Sequence, residues 1–425
     1  MRAPQPRERA ALVGLTLRRS KRHDAEQSLA ELAGLADAAG AHVVLEMIQE
    51  RPTPDPATFI GSGKLQELAA ECDRIGVDVV IFDNELSPAQ LRQIEARVDR
   101  KVIDRTQLIL DIFARRARTR EGKWQVELAQ LKYLLPRLVG SGTALSRLGG
   151  GIGTRGPGET KLETDRRRIR QKIHVISQEI DSIRQRRRHS RARRQKASVS
   201  VVALVGYTNA GKTTLFNLLT KGTAEASDAL FVTLDPLVRQ VVLPDKRRLL
   251  LSDTVGFIDR LPHTLVAAFR ATLEQVAEAD LVLHVIDTAS PERDRHITAV
   301  QRVLEEVGAA NVASLDVFNK CDLIEPAEVE AVRRAHPGAL CISALQARSG
   351  RSRKQVIDAI VQKLELDTRR VTLEFDSESA EDRETIARVY RHARVLSHIT
   401  SDGRVAIEAD VPRRVLDRVK AAGAR

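Results

Sequence analysis

The sequence of 425 residues predicts an α/β protein built from more than one domain. Three observations predict it. Apolar, β-branched runs alternate with helical patterns, an order that favours a mainly parallel sheet. A stretch G-Y-T-N-A-G-K-T follows such a run and precedes a helical pattern. Two long helical segments flank a glycine-rich stretch near the middle of the chain.

The first part, residues 1–105, is predicted to be a small α/β domain with a mainly parallel sheet. Ser87 is a suitable N-cap, and Pro88 suits the first turn of the helix that follows. The expected strands are residues 10–17, 42–48, 78–83 and 101–104, and the expected helices are residues 24–39, 64–75 and 87–98.

The stretch Gly61-Ser62-Gly63-Lys64 resembles a phosphate-binding loop but lacks its spacing, because Thr58 stands where the first glycine is required. We therefore favour a loop or an RNA contact over a nucleotide site, which stays open as an alternative.

The second part, residues 106–197, is predicted to be a helical hairpin. One long helix is expected over residues 106–138 and another over residues 162–196, packed antiparallel. Residues 140–161 between them hold too many glycines for a regular element, so we expect a partner to order this loop. The apolar positions recur at coiled-coil spacing and are Leu128, Leu131, Leu135 and Leu138, then Ile169, Ile173, Ile176, Ile180 and Ile183.

The second hairpin helix carries thirteen Lys or Arg between Arg166 and Lys196, against Glu179 and Asp181. So few acidic partners favour binding to a phosphate backbone over a merely solvated helix face. Aromatic residues make up only 3% of the chain, so shape and backbone contacts to structured RNA are expected instead of base stacking. The candidate RNA-binding residues are Arg155, Lys161, Arg186, Arg187, Arg188, Arg193 and Arg194.

Composition points to the compartment. Cys72, Cys321 and Cys341 are few and scattered, which fits a reducing cytoplasm and neither a disulfide framework nor a zinc site. No apolar run is long enough for a membrane span, and the N-terminus lacks the apolar core of a secretory signal. We expect a cytoplasmic monomer. The net charge of +12 leaves peripheral association with an anionic membrane open.

The third part, residues 198–366, contains the phosphate-loop motif at a strand-to-helix turn, the setting that the motif requires. Gly206 and Gly211 let the backbone bend, so that N–H groups and the helix N-terminus face a phosphate chain. Lys212 is predicted to reach the β- and γ-phosphates. The predicted nucleotide contacts here are Gly206, Tyr207, Thr208, Asn209, Ala210, Gly211, Lys212, Thr213 and Thr214.

Thr213, Thr233 and Asp253 are the predicted Mg²⁺ residues. Thr233 lies in the stretch L-F-V-T-L-D-P and is the candidate switch threonine. Asp253 begins a D-x-x-G motif, Asp253-Thr254-Val255-Gly256, at the end of the second strand of a predicted hairpin. The Gly256 N–H would meet the γ-phosphate. Lys212, Thr233 and Gly256 are therefore the candidate catalytic groups.

The base is indicated by an N-K-x-D motif, Asn319-Lys320-Cys321-Asp322, at the end of a predicted strand. The Asp322 carboxylate would accept hydrogen bonds from guanine N1–H and its 2-amino group, which adenine does not offer together. Lys320 would lie along the base, and Asn319 would brace the loops. The later stretch Ser343-Ala344-Leu345 would place the Ala344 N–H on the guanine 6-oxo group. The four motifs in this order predict a GTPase.

The chain also resembles the HflX-type GTPases, a translation-factor-related P-loop class, over nearly its whole length. The marks are F-I-G-S-G-K from Phe59, F-D-N-E-L-S-P-A-Q from Phe82, D-R-T from Asp104, and G-G-G-I-G-T-R-G-P-G-E-T-K-L-E-T-D-R-R from Gly149. Lys161 departs from the glutamine usual in that family. The resemblance implies binding to the large ribosomal subunit and its RNA, and splitting of stalled or idle ribosomes.

The predicted architecture is thus an N-terminal α/β domain with a long helical hairpin, followed by a P-loop GTPase domain and a small C-terminal α/β appendage, residues 367–425. The appendage is expected to contain strands at residues 371–375 and 404–409, and helices at residues 380–395 and 412–422. Two alternatives stay open for the function. One is an RNA- or ribosome-binding GTP switch without subunit splitting, and the other is an RNA-remodelling ATPase with a second, N-terminal nucleotide site.

Phe257 follows the D-x-x-G motif directly, at the position where many GTPases have a water-orienting glutamine. A phenyl ring neither donates nor accepts a hydrogen bond, and we expect it to pack beneath the switch. Slow intrinsic hydrolysis is therefore predicted, with the water positioned by another switch residue or by the ribosome.

Overall fold

The computed structural model describes residues 7–17, 22–138, 157–196, 199–224, 230–231, 233–243, 248–259, 275–346, 350–365, 368–401 and 403–412. The strands are β1 Arg9–Leu17, β2 His42–Arg51, β3 Val79–Phe82, β4 Lys101–Asp104, β5 Ser200–Gly206, β6 Leu237–Val242, β7 Arg248–Asp253, β8 Leu281–Asp287, β9 Ser314–Asn319, β10 Leu340–Cys341, β11 Thr368–Asp376, β12 Arg394–Ser401 and β13 Arg404–Pro412. The helices are α1 Arg22–Ala38, α2 Ser62–Ile75, α3 Pro88–Val98, α4 Arg105–Arg116, α5 Arg120–Arg137, α6 Pro157–Lys196, α7 Lys212–Thr220, α8 Arg293–Glu306, α9 Pro326–Ala335, α10 Arg351–Glu365 and α11 Ala380–His392.

The first sheet is parallel throughout, in the order β2-β1-β3-β4. Alternate residues of β1 enter opposite cores: Leu12 packs with α1 and α4, and Val13 packs with α2 and α3. This is the pattern of a sheet covered on both faces. The predicted parallel α/β domain is confirmed, and Ser87 caps α3 in a reciprocal capping box.

The second sheet has the order β10-β9-β8-β5-β7-β6. Only its edge strand β6 runs antiparallel, paired with β7 in the predicted hairpin. The strands β5, β7, β8 and β9 are parallel, so their carboxyl ends lie on the same side of the sheet, and the nucleotide motifs begin there. Ligands of open α/β sheets bind at the carboxyl ends of the strands.

The single helix predicted over residues 106–138 is wrong. The structure has two helices, α4 and α5, separated by residues 117–119. Leu108, Ile109 and Phe113 of α4 pack into the core that also holds α1, while Thr119 caps a new helix by accepting from the Gly122 N–H at 3.0 Å. Because Thr119 caps it, α5 begins as a separate helix and does not continue α4.

The hairpin contact is present between α5 and α6. Leu128 packs with Ile176 and Ile180, and the half-buried Leu131 and Ile173 extend the same cluster. Glu127 and Lys172 form an ion pair across the two helices. Helix α6 already begins at Pro157, so residues 157–161 are helical although we predicted an irregular loop there. Residues 139–156, which include most of that loop, lie outside the described residues.

The N-terminal and nucleotide domains share one hydrophobic core. Phe113 of α4 meets Phe231 edge to face, with ring centroids 4.7 Å apart. The cluster also joins Leu32 of α1 to Phe257 and Val300 of the second domain. Because apolar side chains of both domains are buried against each other in this core, the orientation of one domain relative to the other is fixed.

The C-terminal sheet is antiparallel, in the order β11-β13-β12. The predicted helix over residues 380–395 ends earlier, at His392, because Arg394–Ser401 forms strand β12. The helix predicted over residues 412–422 lies outside the described residues from residue 413 onward. Within the described chain, no helix combines the length and apolarity needed to cross a membrane.

Candidate nucleotide site

The phosphate loop joins β5 to α7 and depends on two glycines. Gly206 has φ 154° and Gly211 has φ 89°. A Cβ on Gly206 would overlap the Val285 carbonyl oxygen, and one on Gly211 would overlap the Asn319 side chain. Glycine is therefore required by space at both positions and by backbone conformation as well.

Lys212 lies at the start of α7 with its side chain buried under the loop. Its Nζ donates to the carbonyl oxygens of Gly206 at 3.1 Å and Tyr207 at 2.6 Å. Burial lowers the pKa of Lys212 to about 8, while the Asp253 carboxylate acts in the opposite direction. The ammonium is thus held inside the loop, where a phosphate would lie.

The structure brings the three predicted Mg²⁺ residues together. Thr213 Oγ1 donates to Asp253 Oδ2 at 2.8 Å, and Thr233 Oγ1 lies 3.2 Å from the same oxygen. The two hydroxyl oxygens are 3.0 Å apart. Burial raises the pKa of Asp253, whereas Lys212 and the two threonine hydroxyls act to lower it. Asp253 Oδ1 is buried and has no hydrogen-bond partner among the described residues. Hard oxygen donors around an unsatisfied carboxylate oxygen fit Mg²⁺.

The D-x-x-G segment lies directly against the phosphate loop. The Phe257 N–H donates to the Gly206 carbonyl at 3.1 Å, and the Thr208 N–H donates to the Phe257 carbonyl at 2.7 Å. A side chain on Gly256 would lie 2.8 Å from Thr208 and 3.1 Å from Lys212 Nζ. The Phe257 ring is 1% exposed and belongs to the shared core, so it has no polar role.

The base-reading loops are braced by Asn319. Its amide donates to the Ala210 carbonyl at 3.0 Å and accepts from the Ala344 N–H at 2.9 Å. The Ala344 N–H thus has a protein partner here, and its contact with guanine stays a prediction. Asp322 Oδ1 is buried and has no hydrogen-bond partner among the described residues. A buried acceptor of this kind favours a ligand that offers N–H donors.

The other predicted residues of this region lie nearby. Lys320 has φ 63° and pairs with Asp287 at 2.8 Å, a contact that sequence reasoning missed. Ser343 Oγ accepts from the Gln346 N–H at 3.1 Å. Leu345 is exposed, whereas Thr254 is buried and donates to the Leu204 carbonyl at 2.6 Å.

Tyr207 connects the loop to the N-terminal domain. Its hydroxyl donates to Glu31 of α1 and accepts from the Asp259 N–H at 2.7 Å. Its ring stacks on His296 with centroids 3.7 Å apart. Arg105, buried at the start of α4, pairs with both Glu31 and Asp83. These contacts were missed because they join residues far apart in sequence. The only signal was Arg105 itself, inside the D-R-T mark.

The predicted RNA-binding residues are described less completely. Arg186 is exposed on α6. Arg155 lies outside the described residues, and the side chains of Lys161, Arg187, Arg188, Arg193 and Arg194 are not described. At the other phosphate-loop-like stretch, the Gly61 N–H donates to Gln49 Oε1 at 2.8 Å and Lys64 pairs with Glu67. Gly61 and Lys64 there already have protein partners.

Comparison with known proteins gives three family models along the chain. They are a GTP-binding GTPase N-terminal region over residues 26–114, a GTP-binding GTPase middle region over 116–194, and a 50S ribosome-binding GTPase over 201–320. A GTPase HflX from Escherichia coli is 42% identical over 408 residues, which cover 95% of this chain and 94% of that protein. The chain belongs to the HflX GTPase family.

A second HflX GTPase, from Caldanaerobacter subterraneus, is 52% identical over 319 residues, 75% of this chain and 74% of that protein. A crystal structure of a GTP-binding protein from Sulfolobus solfataricus in complex with GDP is 24% identical and covers 84% of this chain and 98% of its own, with a TM-score of 0.44. The family assignment rests on the sequence relatives. It makes this HflX chain a GTPase, as the motifs predicted.

Proposed function

We propose that this HflX GTPase binds the large ribosomal subunit and splits or rescues stalled or idle ribosomes, with GTP binding producing the active state. The observation that carries the proposal is the basic helix α6, packed on α5 in the same chain as the GTPase motifs. A helix with so few acidic residues suits the phosphate backbone of RNA. The family model that matches residues 201–320 describes a 50S ribosome-binding GTPase, which supports the same partner.

For the nucleotide, we propose that Lys212 binds the β- and γ-phosphates and that Thr213, Thr233 and Asp253 hold Mg²⁺. A bound Mg²⁺ would neutralise charge that develops on the transferring phosphoryl group. The Gly256 N–H would donate to the γ-phosphate, because its segment lies against the loop beside Lys212. The unsatisfied Asp322 oxygen would select guanine.

This chain has no residue that could orient the attacking water at the position after the D-x-x-G motif, because Phe257 stands there and its ring is buried in the core. We propose that the large subunit completes the site by ordering the segments around Thr233 and beyond Phe257. Hydrolysis would then follow ribosome binding and release the factor. We further propose that the protein acts in the cytoplasm, where ribosomes are found, and that it acts as a monomer.

Sedimentation of ribosomes tests the proposal. Intact ribosomes are mixed with the protein and GTP, GDP or a non-hydrolysable GTP analogue, and the subunits are separated on sucrose gradients. We expect separated subunits with GTP and with the analogue, but not with GDP. Ribosomes that carry the protein with GTP or the analogue but not with GDP, and that stay intact, would instead support the alternative, a ribosome-binding GTP switch without splitting.

The predicted RNA contact is tested by replacing Arg155 and Lys161 with alanine. Ribosome binding should weaken while GTP affinity is kept. The matched control removes two exposed arginines of α9, Arg333 and Arg334, and the same number of charges. Wild-type affinity should fall with salt by roughly 0.7–0.9 log units per log unit of salt for each phosphate neutralised. A flat salt response would argue for a protein partner, and an equal loss in the control would show that the contact does not depend on Arg155 and Lys161.

A further inference from the structure

The N-terminus of α5, the helix that packs on α6 in the hairpin, is capped by Asp235 of the nucleotide domain. Asp235 Oδ2 accepts from the Arg118 N–H at 2.7 Å and from the Thr119 N–H at 2.8 Å. Asp235 Oδ1 accepts from the Thr119 hydroxyl at 2.5 Å. Three donors around one carboxylate form a charge-assisted contact at the positive end of α5.

Two further features show that α5 is built to receive this carboxylate. The Thr119 hydroxyl donates to Asp235 and at the same time accepts from the Gly122 N–H, so Asp235 orients the N-cap itself. Gly122 lies in the first turn of the helix, and a Cβ there would overlap Asp235 Oδ1. Glycine at this position therefore leaves space for the carboxylate.

The same segment reaches the Mg²⁺ residues. Thr233, whose hydroxyl lies 3.2 Å from Asp253, stands two residues before Asp235. Leu234 between them is 3% exposed and belongs to the shared core, and Phe231 packs on Phe113 of α4. Because Thr233 and Asp235 are separated by one residue, a displacement of Thr233 also displaces Asp235. Leu234, which is buried between them, strengthens this coupling.

We propose that Asp235 is a positioning residue that transmits the nucleotide state from Thr233 to the hairpin by capping α5. In the GTP state the Thr233 position is fixed, and the carboxylate holds the start of α5. In the GDP state the cap loosens, and the hairpin loses its fixed direction relative to the GTPase domain. The inference rests on the proposed switch role of Thr233, and it names the contact by which that switch would reach the RNA-binding helices.

Hydrogen–deuterium exchange on the full chain tests this without a ribosome. In the wild type, amides of residues 118–125 should be better protected with a non-hydrolysable GTP analogue than with GDP. Asp235→Ala should make protection equal in the two states, and Asp235→Asn, which keeps one acceptor, should restore part of the difference. The control Ser87→Ala removes the cap of α3, a helix of the N-terminal domain, and should leave the difference at α5 intact.

A merely structural cap would give a different result, namely lower protection in Asp235→Ala by the same factor in both states. That result, or a wild type without any difference between nucleotides, overturns the proposal. Neither outcome depends on ribosome binding, so a failure of the proposed ribosomal function is recognised separately, by sedimentation.

The reverse direction supplies a second test, because coupling between two sites is reciprocal. Gly122→Ala should displace Asp235 although residue 122 does not touch the nucleotide site. The ratio of GTP-analogue to GDP affinity, measured by calorimetry, should then fall by about fivefold or more, as is typical of coupled sites. A ratio equal to that of the wild type in a folded Gly122→Ala protein would show that α5 and Thr233 are independent.

Discussion

Replacing Arg105 with methionine should destabilise the protein strongly. The Arg105 side chain is 4% exposed, and its Nη1 lies 2.8 Å from Asp83 Oδ1. Its Nη2 pairs with Glu31, and the same Glu31 accepts from the Tyr207 hydroxyl of the phosphate loop. Methionine fills a similar volume but removes the cation from between two carboxylates, one of which, Glu31, also contacts the nucleotide domain.

The expected loss follows from the burial of this group. Removing one partner of a buried ion pair costs about 3–5 kcal/mol, because the remaining charge loses its compensation away from water. The Asp83 side chain is 5% exposed and retains its hydrogen bond from Ser28, while the Glu31 side chain is 17% exposed. The lower end, about 3 kcal/mol, is therefore expected, still a large part of a typical total of about 5–15 kcal/mol.

Urea unfolding followed by circular dichroism measures this loss. The control is Arg74→Met, which removes an equally direct ion pair. Arg74 Nη2 lies 2.6 Å from Glu71 Oε2, but the Arg74 side chain is 69% exposed. Solvent screens that pair, so its loss should leave the unfolding midpoint unchanged. If Arg105→Met unfolds at the same urea concentration as the control, the buried pair contributes nothing and the reasoning is wrong.

Three further outcomes are expected. Asp322→Asn should weaken GTP binding and favour xanthine nucleotides, whose 2-oxo group suits an amide donor, and unchanged GTP affinity would contradict guanine reading by Asp322. Because burial lowers the pKa of Lys212 to about 8 and a triphosphate favours the ammonium, GTP binding should take up a proton at pH 9 but not at pH 7. Calorimetry in buffers of different ionisation enthalpy measures that uptake, and its absence at pH 9 would place the pKa elsewhere. Because Phe257 cannot orient water, single-turnover GTP cleavage should be slow alone and much faster with purified large subunits; equal rates would show that the chain is catalytically complete.

The sequence predicted the two mainly parallel sheets well, and it placed the nucleotide motifs at strand ends, since both depend on local patterns. Motifs at strand ends place Thr213 and Asp253 at one edge of a parallel sheet, and the structure brings them to 2.8 Å. Such placement follows from strand direction alone.

The predicted helix boundaries were wrong where contacts between residues far apart in sequence determine the structure. Residues 106–138 have helical spacing without glycine or proline at residues 117–119, and the local indication of a break is weak: Thr119 can serve as the N-cap of a new helix. The break is stabilised by Asp235, more than a hundred residues later, which binds both Arg118 and Thr119. Tertiary contacts of this kind override helix propensity. In contrast, the missed strand β12 contains V-L-S-H-I-T-S, whose β-branched residues offered a local signal.

The shared core has an evolutionary consequence. Gly34 of α1 lies under Leu230 of the nucleotide domain, where an added Cβ would come within 3.2 Å of the leucine side chain. A side chain at position 34 would thus press against Leu230 and favour a smaller residue at position 230, and a similar coupling is expected between Phe113 and Phe231, which are in contact. Substitutions on the two sides are therefore expected to be coupled. A nucleotide domain taken from a distant relative would meet this N-terminal domain with mismatched side chains, so the two are expected to be inherited as one unit.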